Sequence, residues 1–467
     1  MIPRRYQLKK DAVAILEKGH PWLFRDQMSS AATVFADGDW LRLVDGSNRV
    51  VGYGIYEAEG AIAIRMLRRG SEAPNAAWVR AQLGAALAKR ASVAARTDAV
   101  RLINGESDGL AGVVVDRFAD TIVVASYSQG VDALAHYIAK LLAGAARGRV
   151  ALEVASPDGE HDAADTQPIE IMRTSETPDG RFSGVGAALR DDPDLIDAGL
   201  TAPIAVTRPG TVARAPTPPP ASASDLRAFT GAATNVVLRP ARRRRGPAVA
   251  QRVLCGTAPA IVTIHEDDRA LAVDLEGGHK TGTYLDLRAL RRLLADAPLA
   301  NARVLNLFAY TGMLGMSVER AGAAAITDVD QSARALAFAK DHHAIDPAKH
   351  GYVVADVFEW LPALPDTEQY DLVICDPPAM ASQQSQIPTA LAAYRKLYKA
   401  AARHVLPGGA VVAACCTSRI ERKLFEKTVR EALGPGFTLE RDLPPEPDHP
   451  VGFAQADYLK VHIWRRR

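Results

Sequence analysis

The order of elements between Arg303 and Pro378 constrains this chain more than any other stretch. A strand-like run, Val304-Leu305-Asn306-Leu307-Phe308, breaks at Ala309-Tyr310-Thr311-Gly312-Met313-Leu314-Gly315 and becomes helical through Arg320. A second run, Ala325-Ile326-Thr327-Asp328-Val329-Asp330, ends on an acid, and a later one ends in Cys375-Asp376-Pro377-Pro378. Short apolar runs alternating with helical stretches predict a parallel sheet with helices on both faces. Such sheets bind ligands beyond the carboxyl ends of their strands, where the strand order reverses.

The chain has 467 residues, enough for two or three domains. Hydrophobic residues at 48% and charged residues at 24% are the balance of a soluble globular protein. A net charge of only +2 puts any nucleic-acid affinity in local patches. The candidates are Arg65, Arg68 and Arg69, the run Arg242 to Arg245, and the tail Arg465 to Arg467; each run alone reads first as a solvated face. The four cysteines, Cys255, Cys375, Cys415 and Cys416, form no C-x-x-C pair, which argues against zinc and thioredoxin-type sites, so no metal is expected. A disulfide framework is not expected either. Residues 1–10 lack a signal-peptide core and no apolar run reaches spanning length, so the expectation is a cytoplasmic protein without a membrane partner.

Three domains follow from the patterning. Residues 1–70 read as a small β-barrel, with short strands punctuated by glycine around Trp40, Tyr53 and Ile64. Residues 71–285 read as a middle α/β domain, with a helix over 77–95, strands at 113–116 and 121–124, and a helix over 131–142. It is interrupted at about 156–234 by an insertion rich in Ala, Asp, Pro and Ser, read as partly disordered or loosely structured. Pattern resumes with a strand at 235–239 and a hairpin at 261–274. Residues 286–467 carry the helix–strand alternation, including helices over 332–341 and 390–404 and strands at 352–354, 372–375 and 410–413.

Within that last region, Gly312 and Gly315 would let a ligand approach the backbone closely. The turn has neither the G-x-G-x-x-G spacing nor the lysine of a P-loop. Asp330, ending the second strand close to twenty residues past the turn, suits both hydroxyls of a ribose, or else caps the helix that follows. Asp328 is expected to point away. Asp356, ending the third strand, suits an adenine amino group, or else caps the next helix. The three in series favour a nucleoside ligand. Asp376-Pro377-Pro378 is a stiff turn carrying an acid, suited to holding a planar base. Cys415 and Cys416 end the fifth strand on the same rim, where Arg419 and a helix N-terminus are expected to lower a thiol pKa. Cys375 is expected to pack in the sheet.

Taken together these residues resemble the class I S-adenosylmethionine-dependent methyltransferases that form 5-methylcytosine in 23S ribosomal RNA, with an N-terminal PUA domain, a middle α/β domain and a C-terminal Rossmann-like domain. The resemblance is carried by Gly19-His20-Pro21-Trp22, by the turn from Asp108 to Arg117, by Gly278-His279-Lys280-Thr281-Gly282-Thr283-Tyr284-Leu285-Asp286-Leu287-Arg288, and by Asn306 to Gly312. Asp330, Asp356, Asp376-Pro377-Pro378, Asp448-His449-Pro450 and Tyr458-Leu459-Lys460 complete it. It implies Cys416 as nucleophile and Asp376 as its catalytic partner. It implies S-adenosylmethionine held by Asn306, Phe308, Tyr310, Thr311, Gly312, Asp330, Asp356 and Asp376 together with Lys280, Tyr284, Asp286 and Arg288. RNA, in the first place 23S rRNA, is the implied partner, with room for a homodimer. Leu287 stands where the family usually has glutamine, Met313 where a second glycine is common, and Cys415 where serine is usual. Two other readings stay open: methylation of a purine nitrogen in rRNA, and an RNA-binding protein whose catalytic domain is degenerate.

Overall fold

The computed structural model describes residues 3–29, 34–147, 233–241, 250–381 and 383–467. The expected insertion at 156–234 lies outside these apart from its last two residues, as does the run Arg242 to Arg245.

Strands β1 (Arg4–Gln7), β2 (Trp22–Phe24), β3 (Trp40–Val44), β4 (Val50–Tyr56) and β5 (Ile62–Arg69) form one sheet in the order β1-β3-β4-β5-β2, around helix α1 (Lys10–Glu17). The helix has no counterpart in the sequence reading; its buried Ala12 and Leu16 join Leu23, Leu41, Leu43 and Ile64 in a single core. A Cβ at Gly54 would stand 2.6 Å from Ile64 Cγ2 and 2.8 Å from the Arg65 carbonyl, so β4 can press onto β5 only with glycine there.

The middle region begins with α2 (Ala76–Ala88) and the short α3 (Ala91–Ala94), then β6 (Ala99–Asn104), β7 (Val113–Phe118), β8 (Thr121–Ser126) and α4 (Asp132–Ala146). It resumes with β9 (Asn235–Arg239) and β10 (Arg252–Cys255), giving the order β10-β9-β8-β7-β6. The helix expected over 77–95 is broken where Arg90 turns inward to a bidentate pair with Asp108 at 2.8 and 2.5 Å. Strand β6 escaped the sequence reading because Arg101 sits at its centre; the structure buries that guanidinium against Asp116 at 2.7 and 3.0 Å. The hairpin β11 (Ile261–Glu266) and β12 (Arg269–Asp274) packs Ile264, Leu271 and Val273 against Phe118, Leu285, Met313 and Met316.

The third sheet supplies the crevice. Its elements run α5 (Arg288–Ala295), β13 (Arg303–Leu307), α6 (Met313–Arg320), β14 (Ala325–Asp330), α7 (Ala333–His342), β15 (His350–Val354), α8 (Val357–Ala363), β16 (Tyr370–Cys375), α9 (Ile387–Arg403), β17 (Val405–Cys415), α10 (Arg422–Leu433), β18 (Phe437–Leu443) and β19 (Lys460–Arg466). The order is β15-β14-β13-β16-β17-β19-β18. The first five of these strands are parallel, as expected, but β19 runs antiparallel to β17, so the sheet is mixed. Residue parity sorts its faces: Leu305, Val373, Val411 and Cys415 pack on α8, α9 and α10, while Val304, Leu372, Val412 and Ile463 pack on α5 and α6. The strand order reverses between β13 and β16, the predicted switch point.

The three units are tied by polar contacts. Trp22 Nε1 and Arg65 Nη1 both donate to Glu106 Oε1, at 2.7 and 2.5 Å, and the Trp22 ring lies 4.9 Å from that of Phe453. Arg288 donates to Glu446, Asp448 and the Ala99 carbonyl, and Asp448 also accepts from the Arg101 amide at 3.0 Å. Several arginines offered as a basic patch are thereby spoken for. Arg65 is buried between Glu57 and Glu106, Arg68 pairs with Glu72, Arg69 donates to the carbonyls of Leu16, Gly19 and His20, and Arg465 pairs with Glu440. No helix among the described residues is long and apolar enough to cross a membrane.

Candidate active site

The turn after β13 is strained in a way sequence does not display. Phe308, Tyr310 and Gly312 have φ of 61°, 48° and 77°, so two bulky residues occupy the left-handed region. Asp330 holds the turn in place: its Oδ2 accepts from the Tyr310 amide and its Oδ1 from the Ser332 amide, each at 2.8 Å. The cap of α7 is therefore Ser332, which accepts from the Ala335 amide at 3.2 Å, not Asp330. From below, His343 Nδ1 lies 2.5 Å from the Thr311 carbonyl while its Nε2 accepts from the Ala272 amide at 3.1 Å. An N–H donor on one ring nitrogen makes the other the protonated one, so His343 is the neutral Nδ1–H tautomer. Burial pushes its pKa down to about 4.

Both glycines are explained by the chain itself rather than by ligand approach. A Cβ at Gly312 would stand 2.7 Å from Ala339 Cβ, and one at Gly315 would stand 2.7 Å from Asp328 Oδ1. Asp328 does not point away from Asp330, as residues two apart on a strand share a face. It differs in depth, being buried where it accepts from Asn306 Nδ2 at 2.7 Å and pairs with His350 Nδ1 at 3.1 Å, with Glu319 on the other ring nitrogen. Asn306 is thus fully buried beneath the turn. Asp356 is exposed and caps α8, accepting from the Phe358 amide at 2.8 Å. Phe358 was not singled out from sequence, having no periodic or motif signal; its ring lies 5.6 Å from that of Phe308.

The loop from Gly278 to Arg288 folds over this turn. Tyr310 Oη accepts from the His279 amide at 2.9 Å, and the rings of His279 and Tyr284 lie 4.9 and 5.6 Å from that of Tyr310. Lys280 has φ of 54° and rests its ammonium 4.8 Å from the Tyr284 ring centroid and 5.8 Å from that of Tyr458. Asp286 accepts from Tyr458 Oη at 2.5 Å, and its other oxygen is buried without a partner. Arg288 is buried among Glu266, Glu446 and Asp448, which places it in the domain joint rather than in the crevice. Thr281 bonds Asp116 of the middle sheet, and Thr283 Oγ1 lies 3.5 Å from Met313 Sδ. Met313 and Leu287, the departures from the family pattern, are both buried core residues.

At the tips of β16 and β17 the structure brings Asp376 and Cys416 together. Cys375 and Cys415 are fully buried within the sheet's α9 face, whereas Cys416 is partly exposed. Cys416 Sγ donates toward the Pro377 carbonyl at 3.6 Å. The following Thr417 is clamped: its Oγ1 accepts from the Met380 amide at 3.1 Å and its carbonyl from Lys460 Nζ at 2.9 Å. Burial and then the Asp286 carboxylate push Asp376 up to about 7, against the pull of Lys280. The thiol expectation is overturned. Burial, then Asp376 and Cys415, push Cys416 far above the usual thiol range, and Lys280 is the cation that opposes them in place of Arg419.

Does a nucleoside methyl donor fit? The left-handed turn, an acid fixed at the second strand tip and the Phe308–Phe358 pair provide a backbone cradle, a hydroxyl acceptor and an aromatic wall at the switch point. The chemistry of these residues fits S-adenosylmethionine, which Asp330, Phe308 and the Tyr310–Gly312 backbone would hold. Fold and site together define a class I methyltransferase. The comparisons agree: a family model of S-adenosylmethionine-dependent methyltransferases matches residues 224–464, and one of PUA-like domains matches residues 7–69. The chain belongs to the S-adenosylmethionine-dependent methyltransferase family, and S-adenosylmethionine is its cofactor.

Among similar proteins is a ribosomal RNA large subunit methyltransferase of Deinococcus radiodurans, 28% identical over 98% of this chain and 96% of that protein. Another is the ribosomal RNA large subunit methyltransferase I of Shewanella denitrificans, 27% identical over 98% of this chain and 99% of its own length. A solved Streptococcus mutans structure, a candidate SAM-dependent methyltransferase, superposes with a TM-score of 0.68 at 19% identity, covering 99% of this chain and all of that one. That likeness establishes the fold.

Proposed function

We propose that this chain methylates carbon 5 of a cytosine in large-subunit ribosomal RNA through a transient bond between Cys416 and the base. The observation that carries the reading is the seat of Cys416. It is the partly exposed cysteine, and its sulfur lies 3.6 Å from the carbonyl of the Asp376-Pro377-Pro378 turn, on the strand tip next to the cofactor turn. The two relatives named above are methyltransferases of large-subunit ribosomal RNA, which supports RNA as substrate. The division of labour proposed is residues 1–70 for RNA contact, 71–285 for support and 286–467 for catalysis.

Carbon 5 of cytosine is too weak a nucleophile to take a methyl group unaided. As the Cys416 sulfur bonds to carbon 6, the carbon 5–carbon 6 π electrons move onto carbon 5 and the ring. Asp376 takes up the proton the thiol gives, donates it to ring N3 and stabilises the displaced charge. S-adenosylmethionine, when bound, supplies an electrophilic methyl group to carbon 5. Loss of the carbon 5 proton to a base returns the electron pair to the ring and expels the Cys416 thiolate. The base must leave its helical stack to reach this rim. The N-terminal barrel supplies backbone and shape contacts to RNA.

RNA carrying 5-fluorocytosine tests this, because fluorine cannot leave as a proton does. Wild type should form a denaturant-stable protein–RNA adduct that Cys416→Ala abolishes. Normal methylation by Cys416→Ala would refute the covalent route. One observation favours a second reading, methylation of a purine nitrogen. The resting thiol is un-ionised, and an acid–Pro–Pro turn can present an amino or ring nitrogen without help from sulfur. Mass mapping of the methylated nucleoside separates the two.

A further inference from the structure

The resting site offers a thiolate almost no stabilisation. Pro377 and Pro378 carry no N–H, and the Cys416 sulfur faces the Pro377 carbonyl, which can only accept. The groups around it are the carboxyls of Asp376 and Asp286, the Cys415 thiol, the phenols of Tyr284, Tyr394 and Tyr398, and the ammonium groups of Lys280 and Lys460. Lys460 is engaged elsewhere, donating to the carbonyls of Thr417 and Tyr458 at 2.9 and 3.1 Å.

Lys280 differs. It occupies a left-handed conformation, φ 54°, that glycine would adopt without strain, and Arg239 pins its carbonyl at 2.9 Å. Strain of this kind persists where a side chain is needed at that place. Its ammonium lies on the Tyr284 and Tyr458 rings instead of in a close carboxylate pair. Tyr458 in turn is joined through Lys460 to Thr417, the residue after Cys416.

We propose that Lys280 is a positioning residue for the nucleophile: its ammonium is the counter-charge that lets Cys416 pass its proton to Asp376 and ionise when a base is bound. The inference rests on the cysteine-linked reading. In the resting enzyme Asp376 and Lys280 act on the sulfur with opposite sign. When Asp376 has taken up the thiol proton and donates it to the base, Lys280 is left as the dominant charge. Thiol ionisation then coincides with substrate arrival.

The test is alkylation of Cys416 by iodoacetamide in the RNA-free protein, read by peptide mass spectrometry from about pH 6 to about pH 10. A free thiol titrates near about 8.5. Wild type should titrate later. Lys280→Met should slow alkylation at about pH 8 by about tenfold, one pKa unit, and Lys280→Arg should restore most of it. Asp376→Asn should accelerate alkylation about tenfold or more. S-adenosylmethionine affinity is read by calorimetry on the same variants, because the family resemblance also places Lys280 at the cofactor. An unchanged alkylation profile in Lys280→Met overturns the proposal, as does weakened cofactor binding with the thiol unaffected, which would make Lys280 a cofactor ligand. The alkylation arm needs no RNA, so its failure is distinguishable from failure of the fluorocytosine adduct.

Discussion

His343 holds the carbonyl of Thr311 through Nδ1 at 2.5 Å while its Nε2 takes the amide of Ala272. One neutral ring therefore fastens the cofactor turn to the β11–β12 hairpin, and its proton inventory has a stability consequence. The folded pKa, about 4, lies below the unfolded value of about 6.5. The stabilisation is fully present above the unfolded pKa and is lost as pH falls through the folded one. Wild type should lose about 3 kcal/mol from this group between about pH 6.5 and about pH 4. Urea denaturation at several pH values, compared with His343→Gln, should show that increment in wild type and its absence in the variant.

On the proposed cysteine-linked route Asp376 should set the acid limb of the reaction. The Asp376–Cys416 pair works while holding a single proton between them, so double protonation silences it. With Asp376 pushed up to about 7, kcat/KM for RNA should rise as pH increases through about 7. Asp376→Asn should remove that limb and lower kcat by about a hundredfold or more. A pH-independent wild-type profile across that range would contradict the assignment.

Lys280 stores strain that glycine would relieve. Lys280→Gly should raise unfolding stability by about 1 kcal/mol, since left-handed backbone costs a non-glycine residue about that much. The same variant should methylate more slowly, because the ammonium is gone. Thermal melting alongside a methyl-transfer assay checks both signs on one protein.

Arg288 ties three carboxylates and a carbonyl at the domain joint. Arg288→Met should cost about 3–5 kcal/mol, because Asp448 and Glu446 would remain buried without their counter-charge. Chemical denaturation measures it. Cofactor affinity should change much less, since the guanidinium lies in the joint and not in the crevice.

The third sheet was legible in the sequence because β14 and β16 read as apolar runs that lead into acids and β13 as one that breaks at a glycine turn, although the facing of Asp328 was misread. Asp330, Asp376 and the Cys415-Cys416 pair could be placed at strand tips for the same reason, while the choice of Cys416 came from the family resemblance. What stayed hidden was side-chain depth. Nothing in the sequence tells that Arg101 lies inside a strand, that Arg288 faces a joint, or that Asn306 is sealed under the turn. Each depends on a counter-charge or hydrogen-bond partner far away in the chain, such as Asp116, Asp448 or Asp328. The antiparallel strand β19 and helices α1, α5 and α10 were likewise unread. The direction of the Cys416 shift was misjudged because the sequence shows a nearby arginine, Arg419, but not the burial of the sulfur or its closeness to Asp376.

The proline pair beside Cys416 has one more effect. The anionic form of sulfur attacks peroxides and disulfides, and a residue kept capped by its hydrogen reacts slowly with them. The resting protein should therefore keep Cys416 unmodified through an oxidising spell.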